Sequence, residues 1–282
     1  MTVSTILHPT DFSPSATRAM QVAVRLAAAT KGTLVLMHAE LLPGADESKP
    51  RALLDEHAAS AERKLRELSR DPPAIEAVLR RADLADEAIL DMAAERKADL
   101  IVCGTHGRRG VSRLFLGSVA ERLLRQSPCP VVTARADSVV PDGILFRTLL
   151  VPMDMSVDSQ RALGLAGTLA ENWDATIQLV HVVDPPPVMY YAGNITSRFD
   201  LDGGLRGRVE VRLRAAGEGL PVTRCIVAEG HPAVEIARVA YEPEIDLIVM
   251  SATGSATIDW LPMGSTTARV CRIARKPVLA SR

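Results

Sequence analysis

The stretch Thr5-Ile6-Leu7-His8-Pro9-Thr10-Asp11-Phe12-Ser13 returns 143 residues later as Thr148-Leu149-Leu150-Val151-Pro152-Met153-Asp154-Met155-Ser156. The same offset carries Arg18-Ala19 onto Arg161-Ala162 and His38 onto His181. Further along it becomes 147, which places Asp99-Leu100-Ile101-Val102 on Asp246-Leu247-Ile248-Val249 and Gly117-Ser118 on Gly264-Ser265. Self-similarity on this scale fixes the organisation of the chain before any residue is read for chemistry. The units are expected at 1–137 and 146–282, joined by a linker over 138–145 that contains Pro141 and Gly143. A chain of 282 residues is long enough for two such domains, each with its own core.

Within each unit short apolar runs alternate with longer segments of helical period. TLVLMHA, DLIVCG and PVVTA, and their counterparts TIQLVHVV, DLIVMS and PVLAS, are nearly continuous apolar stretches. Strands buried on both faces of a parallel sheet have this character. Ser13 is the expected N-cap of a helix with Pro14 in its first turn and Gly32 just past its end. The segments Arg51 to Arg70 and Ala85 to Arg96 are amphipathic. The predicted order is β-α-β-α-β-α-β-α-β, twice: an α/β chain of two tandem, open, doubly wound five-stranded parallel sheets. The second unit departs most between His181 and Pro221, where Pro185-Pro186-Pro187 and Tyr190-Tyr191 break any helix and the next helix is expected after Gly203-Gly204. That loop reads either as a lid or as a surface excursion.

Composition excludes several classes. With 33 basic against 34 acidic side chains, and only 3% aromatic residues, the chain has neither the basic groove nor the stacking platform of a nucleic-acid binder. No apolar run reaches the roughly 18 to 20 residues of a membrane span, and no charged leader precedes an apolar core at the start, so a cytoplasmic protein without membrane insertion is expected. Cys103, Cys129, Cys225 and Cys271 are widely spaced in apolar settings and read as buried thiols in a reducing compartment. His38 and His181 fall at strand ends with no partner motif, so no metal site is expected. Neither G-x-S-x-G nor G-x(4)-G-K-[ST] occurs, and no catalytic residue is assigned.

In an open α/β sheet ligands bind outside the carboxyl ends of the strands, where strand order reverses. After the strand Asp99 to Cys103 come Gly104-Thr105-His106-Gly107, nine further residues, and then Gly117-Ser118-Val119 at the start of a helix. The spacing is G-x(2)-G-x(9)-G-S. Glycines at the strand end admit a close approach to the main chain, and a helix N-terminus with free N–H groups favours an anion. Asp11, after the first strand, can accept hydrogen bonds from a ribose hydroxyl or an exocyclic amine.

This combination resembles the universal stress proteins, and the resemblance covers nearly the whole chain. It implies a Rossmann-like fold and ATP as the ligand of the first unit. Asp11 would contact the adenosine part, His38 and Ala39 would lie beside the base, and Gly104, Gly107, Gly117, Ser118 and Val119 would hold ribose and phosphates, with Arg108 and Arg109 beside the phosphate path. His106, by its own place inside the glycine loop, could touch a phosphate. It also implies that the two units pair through their last strands as a pseudo-dimer, with a further homodimer left open.

The second copy keeps Asp154, Gly254, Gly264 and Ser265 but carries Ser251 in place of the first glycine, loses both arginines and gains Asp259. A weakened second site and an empty one are both open, and the first is expected to be the stronger. A stress-response sensor that holds ATP without fast turnover is the leading expectation. Slow Mg²⁺-dependent ATP hydrolysis is one alternative. A scaffold that uses the divergent second unit for an apolar molecule or a partner protein is the other.

Overall fold

The computed structural model describes residues 3–41, 48–107, 116–140, 143, 146–184, 202–252 and 264–281. Pro141, Tyr190, Tyr191, Arg108, Arg109, Gly254 and Asp259 lie outside the described residues. The first unit runs β1 (Thr5–Pro9), α1 (Pro14–Thr30), β2 (Thr33–Glu40), α2 (Ser48–Leu68), β3 (Ile75–Arg81), α3 (Ala85–Glu95), β4 (Leu100–Gly104), α4 (Ser118–Gln126) and β5 (Val131–Ala134). The second repeats it as β6 (Thr148–Pro152), α5 (Val157–Trp173), β7 (Thr176–Val183), α6 (Leu205–Ala216), β8 (Val222–Glu229), α7 (Pro232–Val239), β9 (Leu247–Ser251), α8 (Ser265–Ile273) and β10 (Val278–Ser281).

All ten strands form one sheet in the order β3-β2-β1-β4-β5-β10-β9-β6-β7-β8. Every pairing within a unit is parallel. The joint between units is antiparallel, with Val278 opposite Thr133, Leu279 opposite Val132 and Ala280 opposite Val131. The two doubly wound sheets therefore pack as an internal pseudo-dimer, each closing the other's edge and satisfying its ladder hydrogen bonds.

The apolar runs are continuous because both faces of the sheet are covered. Successive residues of β1 alternate between two cores: Ile6 joins the side of α1, α2, α5 and α6, and Leu7 the side of α3, α4, α7 and α8. Each core runs through both units, so neither domain ends at its own last strand. Asp99 and Asp246 pin corresponding points at the amino ends of the strands, each within its own unit. One carboxylate oxygen of Asp99 accepts from the Ser4 and Thr5 N–H groups at 2.7 and 3.0 Å, and one of Asp246 from Arg147 and Thr148 at 2.7 and 3.1 Å.

Ser13 caps α1 as expected, its hydroxyl accepting from Ala16 N–H, and Ser156 caps α5 in the same way through Ser159 N–H. Helix α1 ends at Thr30, with Gly32 just past its end as expected. The left-handed residue is Lys31 (φ 56°), not Gly32, and its counterpart Asp174 (φ 51°) does the same after α5. Gly32 is needed for a different reason: a β-carbon there would stand 2.8 Å from the Val3 carbonyl oxygen. Helix α6 starts after Gly203-Gly204 as expected and has 12 residues against 21 in α2. Val139, just past β5, donates its N–H to the Arg275 carbonyl at 2.6 Å, and Arg135 reaches the Arg272 carbonyl, so the chain leaving the first unit is bound to the second. Among the described residues no helix is long and apolar enough to cross a membrane.

A shared core makes the two units one cooperative body. Leu279 is 1% exposed at the joint, and Leu279→Ala should lower stability by about 2–5 kcal/mol. Both tryptophans, Trp173 and Trp260, belong to the second unit. Tryptophan fluorescence and far-ultraviolet circular dichroism should therefore report coincident urea midpoints, and separated midpoints would contradict a shared core.

Candidate functional site

Strand order reverses between β1 and β4, and a cavity of about 670 Å³ opens at the carboxyl ends of these strands. Asp11, His38, Ala39, Gly104, His106, Gly107, Gly117, Ser118 and Val119 all line it. Residues separated by more than 100 positions in sequence are thus gathered at one place on the sheet edge.

The loop after β1 is built around Asp11. Thr10 donates its N–H to Met37 O at 2.8 Å, and its own carbonyl is 2.7 Å from Nδ1 of His38, which donates to it. Phe12 then takes a left-handed conformation (φ 63°) and packs its ring against His38 and His57, at centroid distances of 4.6 and 4.9 Å. Ser13 N–H donates to Oδ1 of Asp11 at 3.0 Å. His38 thereby fixes the backbone on which Asp11 stands, and the second unit repeats the device with His181 Nδ1 at 2.6 Å from Met153 O and Met155 at φ 65°.

The glycines have tight neighbours within the chain. A β-carbon at Gly104 would stand 2.6 Å from Ser15 Oγ and 2.8 Å from Ala16 N, so the room beside the strand end is taken by the first turn of α1. At Gly107 it would stand 2.8 Å from Oδ2 of Asp11, and at Gly117 3.0 Å from the Thr105 carbonyl. These glycines bring α1, the Asp11 loop and α4 together around one space. The hydroxyls of Ser13 and Ser15 both donate to the His106 carbonyl, and Thr105 Oγ1 lies 2.9 Å from His106 Nδ1.

Helix α4 faces the cavity with its N-terminus. Its N-cap, Gly117, supplies no side-chain cap; its N–H donates to Thr105 O at 2.8 Å, and its carbonyl accepts from Glu121 N–H at 2.9 Å. The N–H groups of Ser118, Val119 and Ala120, in the first turn, have no acceptor within the helix. All three residues line the cavity, where the positive end of the helix dipole adds to their attraction for an anion.

Two buried polar residues of this region escape a reading of the sequence. His8 is fully buried in β1, with Nδ1 2.7 Å from Val102 O and Nε2 without a hydrogen-bond partner. Burial pulls its pKa down to about 4. Glu40, 6% exposed at the end of β2, lines the cavity. Its Oε2 is 3.4 Å from Arg81 Nε, and its Oε1 has no hydrogen-bond partner. The signal for both lay in the repeat, since the 143-residue offset puts Val151 opposite His8 and Val183 opposite Glu40. By contrast Cys103, on the cavity wall, is inert: burial pushes its thiol up to about 12.

In the second unit Asp154, Ser251, Gly264 and Ser265 occupy the equivalent places on β6, β9 and α8. Gly264 donates its N–H to Ala252 O at 2.8 Å, as Gly117 does to Thr105, and Thr267 Oγ1 donates to Ser251 O at 2.7 Å. Asp154 Oδ1 accepts from both the N–H and the hydroxyl of Ser156. In the first unit the corresponding hydroxyl, that of Ser13, goes to His106 O instead.

His8 gives stability a pH dependence. Its folded pKa of about 4 lies below the ordinary histidine value of 6.5, so between those values the unfolded chain binds the extra proton. The contribution is complete above about pH 6.5 and is lost as pH falls towards 4, at up to about 1.4 kcal/mol per pH unit. His8→Val, the residue of the second unit, should flatten that part of the stability profile in urea titrations between pH 4 and pH 7.

The universal stress protein family profile matches the chain twice, over residues 2–135 and 145–282. A universal stress protein of Mycobacterium tuberculosis is 28% identical over 293 aligned positions that cover 96% of this chain and 94% of that one. Another from the same organism is 27% identical over 66% of this chain, which spans 62% of that relative's length. Among solved structures, a universal stress protein from Archaeoglobus fulgidus aligns over 100% of this chain and 99% of its own, with a TM-score of 0.64 and 23% identity. A protein of unknown function from Pseudomonas aeruginosa aligns over 99% and 92%, with a TM-score of 0.69 and 18% identity. At those identities the structural likeness establishes the fold alone. The two profile matches go further, and they show that this chain belongs to the universal stress protein family as a tandem member with two copies of its domain.

Proposed function

We propose that the first unit binds ATP in the cavity at the ends of β1, β2 and β4, and that the protein serves as a cytoplasmic nucleotide-responsive regulator in stress responses without fast turnover. The observation that carries this reading is the uncapped first turn of α4, with Ser118, Val119 and Ala120 lining the same cavity as Asp11. The polyphosphate is held by those N–H groups and by the Ser118 hydroxyl, where the helix dipole offsets its charge. Asp11, held by Ser13 and steadied through His38, accepts from hydroxyls of the ribose. A volume of about 670 Å³ suits a ligand of nucleotide size. Mg²⁺ accompanies ATP as a counter-ion on the phosphates.

A holding role fits the chemistry of the walls. The cavity's thiol, Cys103, is kept protonated by burial, and Asp11 already accepts from Ser13. The four free cysteines suit a reducing compartment. The second unit is proposed as the weaker site, because Ser251 stands where the first unit has glycine and Asp154 accepts twice from Ser156.

Calorimetric titration with ATP and Mg²⁺ tests the reading. Micromolar binding near one equivalent is expected, weakened at least about 100-fold by Gly117→Val and changed less than about threefold by Gly264→Val. Asp11→Ala should cost about tenfold. Absence of heat with the unsubstituted chain, together with no nucleotide in its mass spectrum, would overturn the assignment.

A further inference from the structure

We propose that Glu40 is the base-reading residue of the first unit, accepting a hydrogen bond at Oε1 from the exocyclic 6-amino group of adenine. The inference rests on the nucleotide reading of the cavity and adds to it the group that selects the base.

An ionised carboxylate is an acceptor with no proton to give, and a buried oxygen without a donor is costly. Glu40 is 6% exposed, yet only Oε2 has a partner, Arg81 Nε at 3.4 Å. Oε1 has none. The fold does not require this charge, because the second unit has Val183, 5% exposed, at the same point of β7. A carboxylate kept in a strand-end position where valine serves equally well is explained by a donor that arrives with the ligand.

The order of strands identifies that donor. Along the sheet edge α4 follows β4, Asp11 follows β1, and Glu40 ends β2, the neighbour of β1 on the far side from β4. Adjacent strands are about 4.8 Å apart. The anion cradle, Asp11 and Glu40 therefore stand in the same sequence as triphosphate, ribose and base in the nucleotide. Glu40 is furthest from the phosphates, which its charge would repel. Within adenine the 6-amino group is the hydrogen-bond donor.

Binding of ATP and of purine riboside 5′-triphosphate, which lacks only the 6-amino group, would be compared by calorimetry on the full chain with Mg²⁺. The unsubstituted protein should prefer ATP by about 10- to 100-fold. In Glu40→Val the two nucleotides should bind within about threefold of each other. Glu40→Gln should keep part of the preference, because its amide oxygen still accepts. The ratio is taken within each variant, so it does not depend on the fraction of that variant that is folded. An unchanged preference in Glu40→Val, or equal weakening of both nucleotides, would overturn the role of Glu40 and leave the nucleotide site intact. Failure of the unsubstituted chain to bind either nucleotide would overturn the site and this inference together.

Discussion

Helix α1 rests directly on the end of β4, and it can do so only because residue 104 has no side chain. Any β-carbon there would lie within 2.8 Å of Ser15 and Ala16. From that contact the rest of the cavity is positioned in turn. The hydroxyls of Ser13 and Ser15 fix the His106 carbonyl and so the loop leaving β4. The same loop presents the Thr105 carbonyl to Gly117 N–H, which sets the start of α4. Ser13 N–H meanwhile holds Asp11. One turn of helix thus orients both the carboxylate and the anion-attracting N-terminus, and it does so through short backbone contacts that leave little freedom for either to drift.

Much of this was legible in the sequence because periodicity and capping are local properties. Apolar runs buried on both faces, the serine caps at Ser13 and Ser156, and the G-x(2)-G-x(9)-G-S spacing all announce themselves within a few residues. The gathering of Asp11, His38, Gly104 and Ser118 at one sheet edge followed from strand order. What stayed hidden depended on which neighbours fill which space. Gly104 reads equally well as room for a ligand or room for a helix, and only the packed structure shows that α1 fills it. Lys31 and Asp174 take the left-handed turn that a glycine would advertise. His8 sits in the short run TILHP, where nothing local shows that its strand is flanked on both sides and its ring fully buried.

The duplication provides an internal control on these residues. Both units share the aspartate turn, the supporting histidine and the uncapped helix after the fourth strand, so these features come with the scaffold. Three differences fall near the carboxyl ends of β1, β2 and β4: His8 against Val151, Glu40 against Val183, and Gly104 against Ser251. At the first two the first unit buries a polar group where the second buries valine, and at the third the second unit carries the polar side chain. Burying polar atoms without full satisfaction lowers stability, so folding alone does not account for the pair in the first unit.

The antiparallel joint between β5 and β10 gives the molecule a polarity. Because strands within each unit are parallel and the units meet head to tail, the carboxyl ends of β1 and β4 point one way and those of β6 and β9 the other. The first cavity and the loops that follow β6 and β9 therefore lie at opposite ends of a single sheet. A body that covers one end of the sheet leaves the other end uncovered, so the two ends do not compete for surface. The two ends are joined through the two four-residue strands at the centre of the sheet and through the cores that run along both of its faces.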